Sequence, residues 1–229
     1  MKKKKAFMVS AIVSFVLFIL WTAVIRYVDV QAIGPKGSKV GLATVNFAFH
    51  EMTGYTYELY KIIDKISYIS FVICLVFFII GIVQWAKRKH IARVDMDIIF
   101  LGLSYVITLV FYVAFEKIVI NYRPVIPEDT GVLEASYPSS TTLMVIVVFV
   151  TTYLQVAARI KKEVPRLFLK IVLLVLGTFM VVGRLTCGVH WLTDIVGGVI
   201  LSLGIIFLYL GLIPGFGMHY DRDKNLVSE

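Results

Sequence analysis

Six long apolar runs, separated by polar stretches, constrain this 229-residue chain more than any other feature. The first, Ala6 to Ile25, contains no charged residue. A helix of that length rises about 30 Å, the depth of a bilayer's hydrocarbon layer. Inside that layer backbone N–H and C=O groups find no water, so each run is predicted to form a helix that satisfies them internally. Further spans are expected at about residues 67–86, 98–115, 138–158, 167–183 and 191–213. With 59% hydrophobic and only 17% charged residues, the chain reads as an all-α polytopic membrane protein. A single helical membrane domain over residues 1–229 is expected.

Lys2–Lys5 precede the first run as the basic region of a secretory signal would. The run is too long for one, and no small-residue cleavage site closes it, so an uncleaved helix is predicted. The net charge of +8 raises the question of nucleic acid. The basic residues are not spread over one face, however. They cluster as Lys2–Lys5, Lys87–Arg93 and Arg159–Arg166, after every second span. That is the pattern of cytoplasmic loops in a multi-pass protein of the cell membrane, with both termini cytoplasmic. The clusters suit anionic lipid heads, and no nucleic-acid partner is expected.

Between the first two spans, residues 40–65 set Phe47, Met52, Tyr55, Leu59, Ile62 and Ile63 among charges in an amphipathic pattern. An interfacial helical segment is predicted there, on the outer side. Cys74 and Cys187 fall at different membrane depths, so two free thiols are expected. Pro214-Gly215 should end the last helix, and a mixed-charge tail follows.

The remaining polar residues gather at the outer ends of the spans in three clusters. These are Lys117 with Arg123-Pro124, then Pro138-Ser139-Ser140-Thr141, then Arg184, His190 and Asp194. Ionisable residues at such positions are costly and mark functional sites. Asp194 follows His190 by four residues, so the carboxylate is expected to hydrogen-bond the imidazole and raise its basicity. Arg184 offers a planar guanidinium suited to a phosphate. Ser139 and Ser140 stand where a helix begins, a position that both caps the helix and receives anions.

This set resembles the type 2 phosphatidic acid phosphatase family, whose motifs run K-x6-R-P, P-S-G-H and S-R-x5-H-x3-D in that order. Here the third stands as Gly183-Arg184-x5-His190-x3-Asp194. The resemblance spans Lys117 to Gly198 by motif, within a motif-bearing core of about residues 98–213. It implies a six-helix membrane lipid phosphatase with its site on the extracytoplasmic side. His190 would attack phosphorus to give a phosphohistidine, and Asp194 would orient the ring. Arg123, Arg184 and Lys117 would hold the phosphate, with Ser139, Ser140 and Thr141 lining it. The substrate would be a lipid phosphate or diphosphate, and no metal or other cofactor is implied.

Each of the three motifs departs from the family pattern. Thr141 stands where the family has the histidine that protonates the leaving group, and Ser140 replaces the glycine before it. Lys117 is one residue closer to Arg123 than usual, with Glu116 in the lysine's place. Gly183 replaces a serine. A threonine is no acid near neutral pH, and general acid catalysis is typically worth about 10²–10⁴ in rate. Three readings stay open. The substrate is a lipid diphosphate, such as a polyprenyl diphosphate, whose phosphate leaving group needs little protonation. Or Glu128, Asp129, Glu134 or His50 supplies the acid. Or the protein binds or transports a lipid phosphate with weak or no catalysis.

Overall fold

A computed structural model of the chain describes residues 2–128, 131–221 and 225–228. Its main helices are α1 (Lys2–Tyr27), α2 (Ala43–Thr53), α3 (Tyr57–Ser67), α4 (Ile69–Arg88), α5 (Met96–Lys117), α6 (Ser140–Arg159), α7 (Glu163–Thr186) and α8 (Leu192–Leu212). Among the described residues, six helical stretches are long and apolar enough to cross a membrane: α1, Tyr57–Arg88, α5, α6, α7 and α8. The expected multi-pass helical fold is therefore present. A small antiparallel hairpin, β1 (Met218–Asp221) with β2 (Asn225–Ser228), was not anticipated in the tail.

The central helices are α6 and α8, whose apolar windows are 56% and 50% buried, against 11% for α7. α1 packs along α8, and α6 packs against both α7 and α8. Phe18 and Ile25 of α1, Leu143 and Val147 of α6, and Leu201 and Ile205 of α8 share one core with Tyr137. Gly197 lets α8 approach it closely, since a Cβ there would lie 2.5 Å from the Tyr137 ring. On α4 the residues Phe71, Val72, Leu75, Val76, Phe78 and Ile79 are all exposed, which in this chain means a lipid-facing surface.

The segment expected to lie in the interface is helical and forms two helices whose buried faces meet protein: α2 packs on α8, and α3 on α6 and α7. Tyr60, Ile63 and Ser67 are buried at helical spacing along α3. α3 runs into α4 through Tyr68 alone, itself in right-handed helical conformation. The joined stretch of 32 residues is longer than the hydrocarbon layer needs, so α3 projects beyond it.

At the start of α5 and the end of α6 a charged network closes the bundle opposite the clusters described above. Arg88 and Arg159 both reach Asp95 at 2.8 Å, and Arg159 also reaches the fully buried Asp97 at 2.6 Å. The tail joins this network, because the Gly217 N–H donates to Asp97 at 3.2 Å and His219 pairs with Asp95 through the backbone. Cys74 and Cys187 are both free thiols, as expected.

Candidate active site

Two connections build the site. The loop between α5 and α6 folds its arms together: Tyr122 bridges Ala135, the Arg123 N–H donates to the Glu134 carbonyl at 3.0 Å, and the Ser136 N–H to that of Asn121 at 2.9 Å. This pairing fixes Asn121 and Arg123 on one arm. The turn between α7 and α8 carries His190. Gly188 in that turn has φ +73°, and a Cβ there would lie 1.9 Å from the Gly54 carbonyl oxygen. Only glycine meets both demands. The turn is thereby pressed against the α2–α3 junction, where the Thr56 N–H donates to the Cys187 carbonyl at 3.1 Å. The Trp191 indole N–H donates to the Tyr122 carbonyl at 2.7 Å and ties the two connections together.

Asp194 lies in the first turn of α8, fully buried, where the helix N-terminus favours a negative charge. It accepts the Trp191 N–H at 3.0 Å and the Asn121 side-chain N–H at 3.2 Å. Its own carbonyl accepts the Ser139 N–H at 3.0 Å, which binds the start of α6 to α8. His190 Nδ1 stands 3.7 Å from Asp194 Oδ2. The expected hydrogen bond is therefore not formed; the pair is in ionic range but too long for that bond. Hydrogen bonds from Trp191 and Asn121 hold the carboxylate at that distance.

The centre of the site is a set of buried polar nitrogens without hydrogen-bond partners. These are both imidazole nitrogens of His190 and Nε and Nη1 of both Arg123 and Arg184. Arg184 is 2% exposed and stands 3.7 Å from the Asp64 carboxylate. Arg123 Nη2 pairs with Glu134 at 2.9 Å. Burial first, then the positive charges of Arg184 and Arg123, hold the His190 imidazole well below its ordinary pKa. It is thus a neutral imidazole beside two guanidinium groups. Such an arrangement accepts an anion, because buried unpaired donors are costly and a phosphate oxygen satisfies them.

These groups open onto a cavity of about 930 Å³. Of the residues the sequence singled out, Lys117, Arg123, Ser140, Thr141, Arg184 and His190 line it. Asp194 sits behind His190. Ser139 is turned away from the cavity: its hydroxyl donates to Thr142 Oγ1 at 3.0 Å and caps α6 by accepting the Thr142 N–H at 3.4 Å. Lys117 is exposed at the end of α5. Of the alternative acids, Glu134 lines the cavity but is engaged by Arg123. Glu128 is exposed and His50 packs edge-on against the Trp191 ring, 5.5 Å between centroids; neither lines the cavity. Asp129 lies outside the described residues. Among the described residues no group of three or more His, Cys, Asp or Glu is placed to hold a metal.

The structure adds residues that sequence reading passed over. Asn121 contacts Asp194 directly. Asn46 of α2 donates to Thr193 Oγ1 at 2.9 Å and fixes the start of α8. Tyr60 and Asp64 of α3 flank Arg184. Gly183 also gains a reason: a Cβ there would meet Ile63 Cδ1 at 2.5 Å, so its absence lets α3 close on α7. The signal for Asn46 and Tyr60 was the amphipathic pattern of residues 40–65, on whose buried side both lie.

A family model described as the PAP2 superfamily matches residues 97–217. Among solved structures, the chain is similar to a transmembrane PAP2-type phosphatidylglycerolphosphate phosphatase from Bacillus subtilis. The two share 19% identity with a TM-score of 0.60, over 88% of this chain and 94% of that one. No curated protein matches the sequence. The matched segment is over half the chain and holds every motif residue from Lys117 to Asp194, so the protein belongs to the PAP2 superfamily.

Proposed function

We propose that this protein is a membrane lipid phosphatase that works through a phosphohistidine and favours a lipid diphosphate. Family and fold support the coarser statement, a membrane lipid phosphatase. One observation carries the finer one: unpartnered nitrogens belong to His190, Arg123 and Arg184, which together line a cavity that also has apolar walls. Those walls come from α4, α5 and α6. Phe71 of α4 and Val106 and Leu109 of α5 line the cavity and are also more than half exposed, so it opens sideways toward lipid between these helices. A phosphate head reaches the arginines while its tail stays in an apolar slot.

In the first step His190 Nε2, the nitrogen farther from Asp194, bonds to phosphorus while the bond from phosphorus to the leaving oxygen breaks. Arg123 and Arg184 bear the charge on the non-bridging oxygens, and Asp194 offsets the charge that develops on the ring. In the second step water attacks phosphorus, the P–N bond breaks, and inorganic phosphate leaves with the imidazole restored; the water's proton passes to solvent. Thr141 cannot protonate an alkoxide. A phosphate leaving group, whose second pKa is about 6, needs no such help, which is why a diphosphate is favoured. The Thr141 hydroxyl also suits the second reading, a binder or transporter of lipid phosphates with little catalysis. The basic clusters after alternate spans support cytoplasmic termini and a site on the outer face.

Phosphate release by the purified protein from a long-chain lipid monophosphate and a polyprenyl diphosphate tests the proposal. Turnover of the diphosphate that His190→Ala abolishes is expected, with ³²P trapped on histidine after acid-free denaturation. Turnover of the monophosphate alone would sink the leaving-group argument, and lipid binding without turnover of either favours the binder.

A further inference from the structure

Arg123 and Arg184 arrive from different connections, yet both guanidinium groups are packed against the same ring. Their central carbons lie 5.9 and 5.2 Å from the centroid of Tyr60, a residue of α3 that is 6% exposed. Two like charges in a buried site repel, and an aromatic face is one of the few neutral surfaces that attracts both. The same residue shares one apolar cluster with Cys187 and Val189, on the turn that carries His190, and Val125, just past Arg123, packs against that cluster. Tyr60 therefore sits where the segments that supply Arg123, Arg184 and His190 meet. Its helix is held in place by Ile63 against Gly183, one residue before Arg184. Tyr60 and the rest of α3 lie outside the segment that the family model matches, residues 97–217.

We propose that Tyr60 is a positioning residue: its ring holds Arg123 and Arg184 together as one phosphate clamp, and α3 is the arm that delivers it. Tyr60 is not among the residues lining the cavity and is assigned no contact with substrate. The proposal rests on reading the site as a phosphate pocket, and its consequence is specific. Loss of the ring's electron-rich face should weaken phosphate affinity even where the shape of the side chain is kept.

Inorganic phosphate is the probe, read as a competitive inhibitor of lipid turnover and as a stabiliser of the purified protein in thermal unfolding. Replacing Tyr60 with 4-cyanophenylalanine keeps the bulk and withdraws charge from the ring. It is expected to raise the phosphate inhibition constant and the KM for lipid about ten-fold, with kcat changed less than three-fold. Tyr60→Phe, which keeps an electron-rich face, should lose at most three-fold, while Tyr60→Leu should lose at least as much as the cyano variant. Equal phosphate affinity in the cyano variant and Tyr60→Phe overturns the proposal, as does an unchanged constant in a folded Tyr60→Leu protein. If wild type is stabilised by phosphate and the variants follow this order without any lipid turnover, the clamp stands and the phosphatase reading falls. If phosphate does not bind wild type at all, both fall.

Discussion

Asp194 Oδ2 stands 3.7 Å from His190 Nδ1 but only 3.0 Å from the backbone nitrogen of Trp191. The carboxylate is held first by the helix it starts and by Asn121, and it faces the imidazole from that fixed position. Catalytic hydrogen bonds are often long before substrate binds and shorten as charge develops on the base. Asp194→Asn keeps an acceptor for Trp191 but removes the charge that offsets an imidazolium. It is expected to lower kcat by about 10²–10⁴ while costing only about 1 kcal/mol of stability. Steady-state kinetics beside thermal unfolding checks both numbers, and a loss of stability without a kinetic defect would refute the catalytic role. Asn121→Ala should act in the same direction more weakly, because it frees the carboxylate without discharging it.

The depressed pKa of His190 fixes the sign of a pH effect. In the unfolded chain this histidine takes its proton near pH 6.5, whereas in the folded protein burial and the two arginines keep it neutral to lower pH. As pH falls below about 6.5 the unfolded state therefore binds the proton first. The stability associated with neutral His190 is complete above that pH and is lost toward the folded-state pKa. His190→Gln should unfold with less pH dependence than wild type between roughly pH 6.5 and 5. Paired denaturation curves across that window measure the difference. Coincident slopes would mean that His190 is not held neutral.

Much of the fold was legible because apolar runs of membrane length admit few structures. The three polar clusters were legible too, since charges at span ends are expensive enough to be informative. What escaped was set by contacts between segments distant in sequence. Tyr60 and Asp64 looked like ordinary members of an amphipathic stretch, and only the closure of α3 on Gly183 shows which side of that stretch faces Arg184. Asn121 carried no signal beyond lying two residues before Arg123. Ser139 was read as a phosphate ligand from its place at a helix start, but the same place made it a cap, and the hydroxyl cannot point both ways. The hairpin of the tail rests on a backbone pairing between His219 and Asp95, which no local pattern announces.

The sideways opening between α4 and α5 makes a steric prediction. Leu109 is 55% exposed and lines the cavity, so a larger side chain there disturbs packing little but narrows the slot. Leu109→Trp is expected to lower kcat/KM for a long-chain lipid substrate by about ten-fold or more. A short, water-soluble phosphate ester, which needs no tail slot, should be turned over at close to the wild-type rate. Comparing the two substrates on one preparation separates a blocked slot from general damage. An equal fall on both would place the tail elsewhere.

Thr141 makes the strongest demand on the proposed chemistry. It lines the cavity at the second residue of α6, 8% exposed, where an acid would have to stand to protonate a departing alkoxide. Thr141→His restores an imidazole at that position, and the cavity of about 930 Å³ has room for it. If the leaving group decides specificity, the substitution should raise kcat on a lipid monophosphate by about 10²-fold, the lower end of what general acid catalysis supplies. On a diphosphate the same variant should change little, because phosphate departs without protonation. The ratio of the two kcat values, wild type against variant, is the measurement. A gain on both substrates would mean that the added imidazole helps at another step, and no gain on the monophosphate would mean that the missing acid is not what limits it.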